Sequence, residues 1–253
     1  MYAVTGAASG LGQALTARLR SGGARVVAVD LHSVEIGADL SAPGGRAAAI
    51  AGILDRCDGV LRGLVPCAGL GPQHPSAKIV AINYFGAVAL LDGLVDALAA
   101  SAGEAAAVMI CSNSTTLTPG ADADLARACL DGDEAAALTI AEDTHPTVAY
   151  AASKVAIAKA VRHRARSFGE RAIRLNAVAP GPFRTPLLQE GLDDPATGDL
   201  IRGLPIPLGR MGEPDDIAAV VEWLLSDGAR YVHGSTLFAD GGIDALLSPD
   251  RFP

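Results

Sequence analysis

The sequence predicts an α/β fold: one doubly wound parallel sheet with helices on both faces. Two observations carry this. Short β-branched runs of strand length alternate with longer Ala/Leu-rich helical stretches along the whole chain, an order that implies parallel βαβ units with right-handed crossovers. The 253 residues suit one large α/β domain or two small ones. With no internal repeat and no Ser/Gly linker to divide them, one domain over 1–253 is expected.

Strand-like runs fall at Tyr2–Thr5, Arg25–Val29, Val60–Pro66, Ala105–Cys111, Arg174–Val178 and Ser235–Phe238. The first helix is expected over Leu11–Arg20, with Gly22 and Gly23 as its C-terminal stop. A long helical pattern covers Val80–Ala100. Later, Pro214 suits a first helical position, and the acids that follow it suit the positive end of a helix running to Leu225. Residues 117–147 read as an inserted helix, an Asp131-Gly132 turn and a second helix. Leu125, Ala128 and Cys129 fall at helical spacing, as do Leu138 and Ala141. Seven acids there (Asp122, Asp124, Asp131, Asp133, Glu134, Glu142 and Asp143) face one base, Arg127, a net −6 within a chain total of −8. A solvated surface segment would explain that charge.

The acidic balance offers no basic footprint for nucleic acid or an anionic membrane surface. No apolar run reaches the ~20 residues of a bilayer span, and "MYAVTG" enters a strand without a basic leader or cleavage site. Cys57, Cys67, Cys111 and Cys129 are widely spaced and the five histidines are scattered. No metal is expected, and the thiols read as reduced in a cytoplasmic protein. His233, in "YVHG", reads as a packed structural residue.

"VTGAASGLG" runs from the first strand into the first helix. Gly6, Gly10 and Gly12 allow a tight turn and a close approach to a pyrophosphate, with Ser9 and Leu11 between them. The N–H groups and dipole at that helix start favour an anion. Asp30 ends the second strand in "VVAVD", where a carboxylate accepts from a ribose 2′-OH and repels a 2′-phosphate. No Arg or Lys lies in "GAASG" or "DLHS". NAD is therefore the expected cofactor, against the plain alternative of an Asp that merely ends a strand.

"YAASK" sets Tyr150 and Lys154 one helical turn apart. A free phenol, with pKa near ~10, is ionised about once per thousand molecules at neutral pH. A base for neutral pH needs that value lowered by roughly three units, about 4 kcal/mol. An ammonium about 4 Å away at an effective dielectric near 20 supplies that much. Lys154 is thus expected to make Tyr150 an acid/base.

The spacing Gly-x-x-x-Gly-x-Gly together with Tyr150-x-x-x-Lys154 resembles the short-chain dehydrogenase/reductase family, a Rossmann-type fold, and the resemblance covers the whole chain. "CAG" (67–69), "NYFG" (83–86), "ICSNS" (110–114), "NAVAPGPFRTP" (176–186) and "DGG" (240–242) follow the family's motifs in order. Further stretches, "CAGLGPQ", "TPLLQ" and "DGGIDA", resemble its hydroxysteroid dehydrogenase/carbonyl reductase branch. The resemblance implies Asn83, Ser112, Tyr150 and Lys154 as the catalytic set. Asn83 would hold a water relay, or else serve as a helix-interior polar residue capping nearby backbone. Ser114 is the rival of Ser112, since two residues along a strand share a face. Cofactor contacts are implied at Leu31, Asp39 (towards the adenine amine), Leu40, Cys67, Ala68, Gly69, Tyr150, Lys154 (towards ribose hydroxyls), Pro180 and Thr185, with Val178 and Gly181 lending backbone. Pro66 and Cys67 stand where the family has paired asparagines, so no asparagine role transfers there.

Residues 182–210, rich in Leu187, Leu188 and Leu192, correspond to the family's lid. With Pro182 and Phe183 they suggest a bulky apolar alcohol or ketone: a steroid, a terpenoid or a xenobiotic carbonyl. Alternatively these leucines only pack the segment onto the core. The implied activity is NAD-dependent interconversion of a secondary alcohol and a ketone. A non-catalytic nucleotide sensor and an acyl-carrier-protein reductase are the alternatives. The insertion stretches the path from Ser112 to Tyr150 to 38 residues. It emerges beside the Tyr150 helix, which many family members pair between subunits, so a homodimer through another face is expected.

Overall fold

The computed structural model describes residues 1–121 and 124–250. Their elements, in chain order, open with β1 (Tyr2–Thr5), α1 (Gly10–Ser21), β2 (Val26–Asp30), β3 (Ile36–Gly37), α2 (Pro43–Arg56) and β4 (Gly63–Pro66). There follow α3 (Ser76–Val80), a π-helical segment (Ala81–Gly86), α4 (Ala87–Gly93), α5 (Val95–Ala99), β5 (Ala106–Ile110) and α6 (Ser114–Leu117). The chain continues through α7 (Asp124–Asp131), α8 (Glu134–Glu142), α9 (Pro146–Gly169), β6 (Arg174–Pro180), α10 (Pro186–Asp193) and α11 (Gly198–Arg202). Last come α12 (Pro214–Leu225), β7 (Thr236–Ala239) and α13 (Ile243–Leu247).

Seven parallel strands lie in the order β3-β2-β1-β4-β5-β6-β7. Strand residues alternate between two apolar layers. Ala3, Val27, Leu64, Ala107 and Met109 face one layer with α2, α4 and α9. Val4, Ala28, Val65, Val108 and Val178 face the other with α1 and α12, closed by Leu15, Ile217 and Leu224. The chain winds one way from β1 and the other way from β4, so a crevice opens at the carboxyl ends of these neighbours.

Three features depart from the expectation. β3 has only two residues and α2 carries no periodic signal strong enough to announce it. The helix expected over Val80–Ala100 starts earlier and is broken, by the π segment and again at Leu94, where φ is −109° and ψ 5°. The insertion forms two helices as expected, but it is not a solvated appendage. Leu125, Cys129, Ala137 and Ala141 are buried, with α7 packed on α9 and α8 on α3. Asp131, Asp133, Glu142 and Asp143 form its exposed face; Asp122 lies outside the described residues.

Candidate active site

The glycine loop forms as the composition requires. Gly6 and Gly10 take φ of 65° and 51°, the left-handed region that side chains avoid. A β-carbon on Gly12 would stand 2.1 Å from the Gly6 carbonyl oxygen, so α1 packs on the loop only because none is present. Ser9 and Leu11 flank the start of α1, where the Ser9 side chain makes no cap bond. Across the loop, a β-carbon on Gly10 would lie 3.2 Å from the Thr185 methyl. Thr185 caps α10 by accepting from the Leu188 N–H at 3.1 Å. The loop is thus a cradle between two helix starts, with a shape and donor set that fit a dinucleotide pyrophosphate.

Asp30 is brought to this cradle. Its carboxylate accepts from the Ala8 N–H at 2.9 Å and from the Leu31 N–H at 2.7 Å. It therefore braces the loop as well as presenting charge beside it. Leu31 is exposed next to it. Asp39 turns on itself, accepting from the Ser41 N–H and hydroxyl at 2.9 and 2.7 Å. These bonds hold its carboxyl below the usual carboxylate range. Leu40 is buried, with its carbonyl turned inward to Arg46.

At the end of β4, the Ala68 N–H donates to the Thr5 hydroxyl at 3.1 Å. Asn83 clamps the next peptide, accepting from the Leu70 N–H at 2.8 Å and donating to the Leu70 carbonyl at 3.0 Å. Thr5 and Asn83 thus fix the backbone that runs past Pro66 and Cys67. Asn83 sits in the π segment, a turn type that recurs at functional sites. Its amide also reaches the Ser153 hydroxyl at 3.5 Å, and Ser153 donates to the Tyr150 carbonyl at 2.6 Å. Gly69 lies in the same corner, where a β-carbon would stand 3.1 Å from Asn83 Oδ1 and 3.8 Å from Lys154 Nζ. The backbone-capping alternative for Asn83 describes the bonds seen.

Tyr150 and Lys154 project from α9, which His145 caps and Pro146 opens. Ala149, Ala151, Ala152 and Ala156 give this helix a small-residue face that lets it lie close on the sheet. Lys154 is buried and donates to the Ile110 carbonyl at 3.0 Å, with Nζ 5.8 Å from the Tyr150 ring centroid. Burial pushes the phenol of Tyr150 up, the Ser112 hydroxyl pulling the other way, and burial pushes the Lys154 ammonium down. Within the protein alone, then, burial and not a neighbouring charge dominates the phenol, and the group that pulls it down is the Ser112 hydroxyl. Burial likewise drives the thiols of Cys67 and Cys111 up to about 12, against the pull of Lys154.

Ser112 follows β5 and accepts from the Ser114 N–H at 3.1 Å. The shared-face argument for Ser114 fails, because β5 ends at Ile110 and Ser114 opens α6. Its hydroxyl is nonetheless buried, with no hydrogen-bond partner among the described residues. This serine turn is tied to the C-terminus by residues that sequence reasoning did not assign. Asn113 reaches Asp240 at 3.4 Å, and Thr116 bonds Asp244. The "DGG" match was the available signal.

Val178 is fully buried within β6, and its carbonyl accepts from the Cys111 N–H at 2.8 Å. Pro180 and Gly181 follow at the strand's end, where the Gly181 N–H donates to Ala239 at 3.1 Å. Phe183 bridges to Gly212, whose N–H donates to the Pro182 carbonyl at 3.0 Å and whose carbonyl accepts from the Arg184 N–H at 2.9 Å. Pro182 and Phe183 line a cavity of about 600 Å³ with Ile217, Phe238 and Gly241. Leu187 packs on the loop after β4, 3.3 Å from where a β-carbon on Gly71 would stand. Leu187 and Leu188 lie outside the core. His233 is structural, as expected. It accepts from the Leu175 N–H at 3.0 Å and meets the Ala165 carbonyl at 2.7 Å.

Residues 135–244 match the family model described as enoyl-(acyl carrier protein) reductase. The chain is 42% identical to the 3-alpha-hydroxysteroid dehydrogenase/carbonyl reductase of Comamonas testosteroni, covering 98% of each protein. It is also similar to the crystal structure of the 3-alpha-hydroxysteroid dehydrogenase from Pseudomonas sp. B-0831 complexed with NADH. The TM-score is 0.97 at 46% identity over 99% of each chain. Levodione reductase is more distant, with a TM-score of 0.77 at 27% identity over 96% of this chain and 97% of that one.

Proposed function

Because the chain belongs to the short-chain dehydrogenase/reductase family, we propose that it is an NAD(H)-dependent oxidoreductase acting on bulky apolar alcohols and ketones. Hydroxysteroids come first, with terpenoid and xenobiotic carbonyls behind them. One observation carries the reading: the Tyr150 phenol meets the Ser112 hydroxyl on the sheet edge that also bears the glycine cradle. The activities named for the Comamonas and Pseudomonas relatives support the steroid class, and the NADH of the latter supports the cofactor.

The loop Gly6–Gly12 and Thr185 would hold the diphosphate, and Asp30 the adenosine ribose. Lys154 would hold the nicotinamide ribose, within the corner that Asn83 braces. Bound there, NAD would accept hydride from the carbinol carbon, and NADH would return it to the carbonyl carbon. The Ser112 hydroxyl would donate to the substrate oxygen, stabilising the charge that develops as hydride moves. Tyr150 gives its phenolic proton to that oxygen in reduction and takes it back in oxidation. A buried phenol held protonated suits the first of these directions.

Residues 182–210 serve as a lid. Leu187 is 37% exposed, and Gln73 and His74 of the facing loop reach Thr197 and Glu190 at 3.2 Å each. The assembly is a homodimer. The insertion covers the face of α9, while β7 is an edge strand. Phe238 lies exposed on that strand, and Leu246 and Leu247 are exposed in the helix that follows it. A cytoplasmic setting agrees with four free cysteines.

The test is a screen of the purified protein with NAD against hydroxysteroids, monoterpenoid alcohols and aromatic alcohols, and with NADH against the matching ketones. Turnover of any such bulky substrate supports the reading. An absence of NADH formation and consumption across the panel overturns it.

A further inference from the structure

The acidic insertion sends one residue inward. Glu134, at the start of α8, meets Arg46 of α2 in a two-pronged pair, with Nη1 to Oε2 at 2.8 Å and Nη2 to Oε1 at 2.7 Å. The Arg46 side chain is only 6% exposed. The same guanidinium also meets backbone: Nε donates to the Leu40 carbonyl at 2.8 Å, and Nη2 is shared with the Ser41 and Ala81 carbonyls at 3.1 and 3.0 Å. One buried guanidinium therefore joins three places. These are the insertion, the turn Asp39–Ser41, and the first residue of the π segment that carries Asn83. A β-carbon on Gly86 of that segment would stand 3.2 Å from the Leu40 side chain, so turn and π segment are also in direct contact.

A guanidinium so enclosed is tolerable only with its charge answered, because a buried cation without its partner is costly. Glu134 supplies that answer, and the fork geometry fixes direction as well as charge. Without it, Arg46 has reason to swing towards water and release the Leu40 and Ala81 carbonyls together. We infer that Arg46 and Glu134 are a positioning pair, through which the insertion holds the Asp39–Ser41 turn in register for the adenosine end of the cofactor. This rests on the NAD reading above. It gives the insertion a second task, independent of subunit packing.

The test uses the full chain, with NADH binding followed by fluorescence and ADP-ribose binding by calorimetry. Glu134→Gln keeps the shape and removes the charge. Its Kd for both probes should rise roughly five- to tenfold, as expected for loss of a charged hydrogen-bond pair. At saturating NAD, kcat should stay within about twofold, because the reacting groups are not moved. Glu134→Asp should recover most of the affinity. Arg46→Lys, which keeps the charge but cannot span the three carbonyls, should weaken both probes as Glu134→Gln does. A folded Glu134→Gln protein with unchanged Kd for ADP-ribose overturns the inference, even if its melting temperature falls, since a merely structural pair would behave so. If the unaltered protein binds NADH and only the variants fail to respond, this inference falls alone. If the unaltered protein binds neither probe, the cofactor reading falls with it.

Discussion

The Lys154 ammonium stands 5.8 Å from the centre of the Tyr150 ring and spends a hydrogen bond on the Ile110 carbonyl. Desolvation dominates both groups, raising the phenol and lowering the ammonium. The sign of the pH dependence follows. Alcohol oxidation needs the phenolate, whose population grows as pH rises towards an elevated pKa, so kcat for oxidation should climb through the alkaline range. Ketone reduction needs the phenol and should hold steady from neutral pH until that pKa is approached. Initial rates in both directions across pH check this. A plateau of the oxidation rate already at neutral pH would contradict it.

Tyr150→Phe removes the proton carrier and leaves the ring. General acid/base groups contribute roughly 10²–10⁴-fold, so kcat in either direction should fall by about that much. The Kd for NADH should change by less than about threefold, since the phenol is not a ground-state anchor. Turnover within tenfold of the parent would take Tyr150 out of the acid/base role.

Asp30→Ala has two expected effects, because the carboxylate has two tasks. Losing the charge beside the cradle should improve kcat/KM with NADP. Losing the bonds to Ala8 and Leu31 should loosen the loop and raise KM for NAD by roughly tenfold, the scale of charged hydrogen bonds. Steady-state kinetics with both cofactors separate the two. An unchanged KM for NAD would mean that the brace is idle.

What sequence could carry was local. The glycine loop, Asp30, Tyr150 and Lys154 are legible because each chemistry demands a residue type at a short, fixed spacing. The surroundings of Val178 and Pro182 are less legible for the opposite reason. Which main-chain groups a strand end leaves free depends on register and on a distant partner, Cys111 in one case and Gly212 in the other. β3 is too short to have a period, and the π segment is a tertiary accommodation around Asn83. Arg46 and Glu134 lie 88 positions apart, so nothing in either neighbourhood announces their meeting. Glu134 instead read as one more acid on a charged surface.

The oligomeric state offers the last test. α7 lies along α9, and four acids of the insertion, Asp131, Asp133, Glu142 and Asp143, face outwards. Two copies brought together through α9 would first meet insertion against insertion, like charge on like charge across a two-fold axis. At the other side, β7 leaves a row of backbone groups open at the sheet edge, a surface that invites pairing. Phe238 on that strand is 38% exposed, and Trp223 on α12 is 43% exposed. Light scattering coupled to chromatography should therefore report a dimer, and Phe238→Asp should give a folded monomer. Deleting 118–146 is the wrong probe, because it would strip Leu125, Cys129, Ala137 and Ala141 from the core. Neutralising Asp131, Asp133, Glu142 and Asp143 to the matching amides keeps the packing and removes the repulsion. If charge is the barrier, that variant should begin to form tetramers at low salt. If bulk alone is the barrier, it should remain a dimer. A tetramer of the unaltered protein with α9 paired across subunits would refute the blocking role outright.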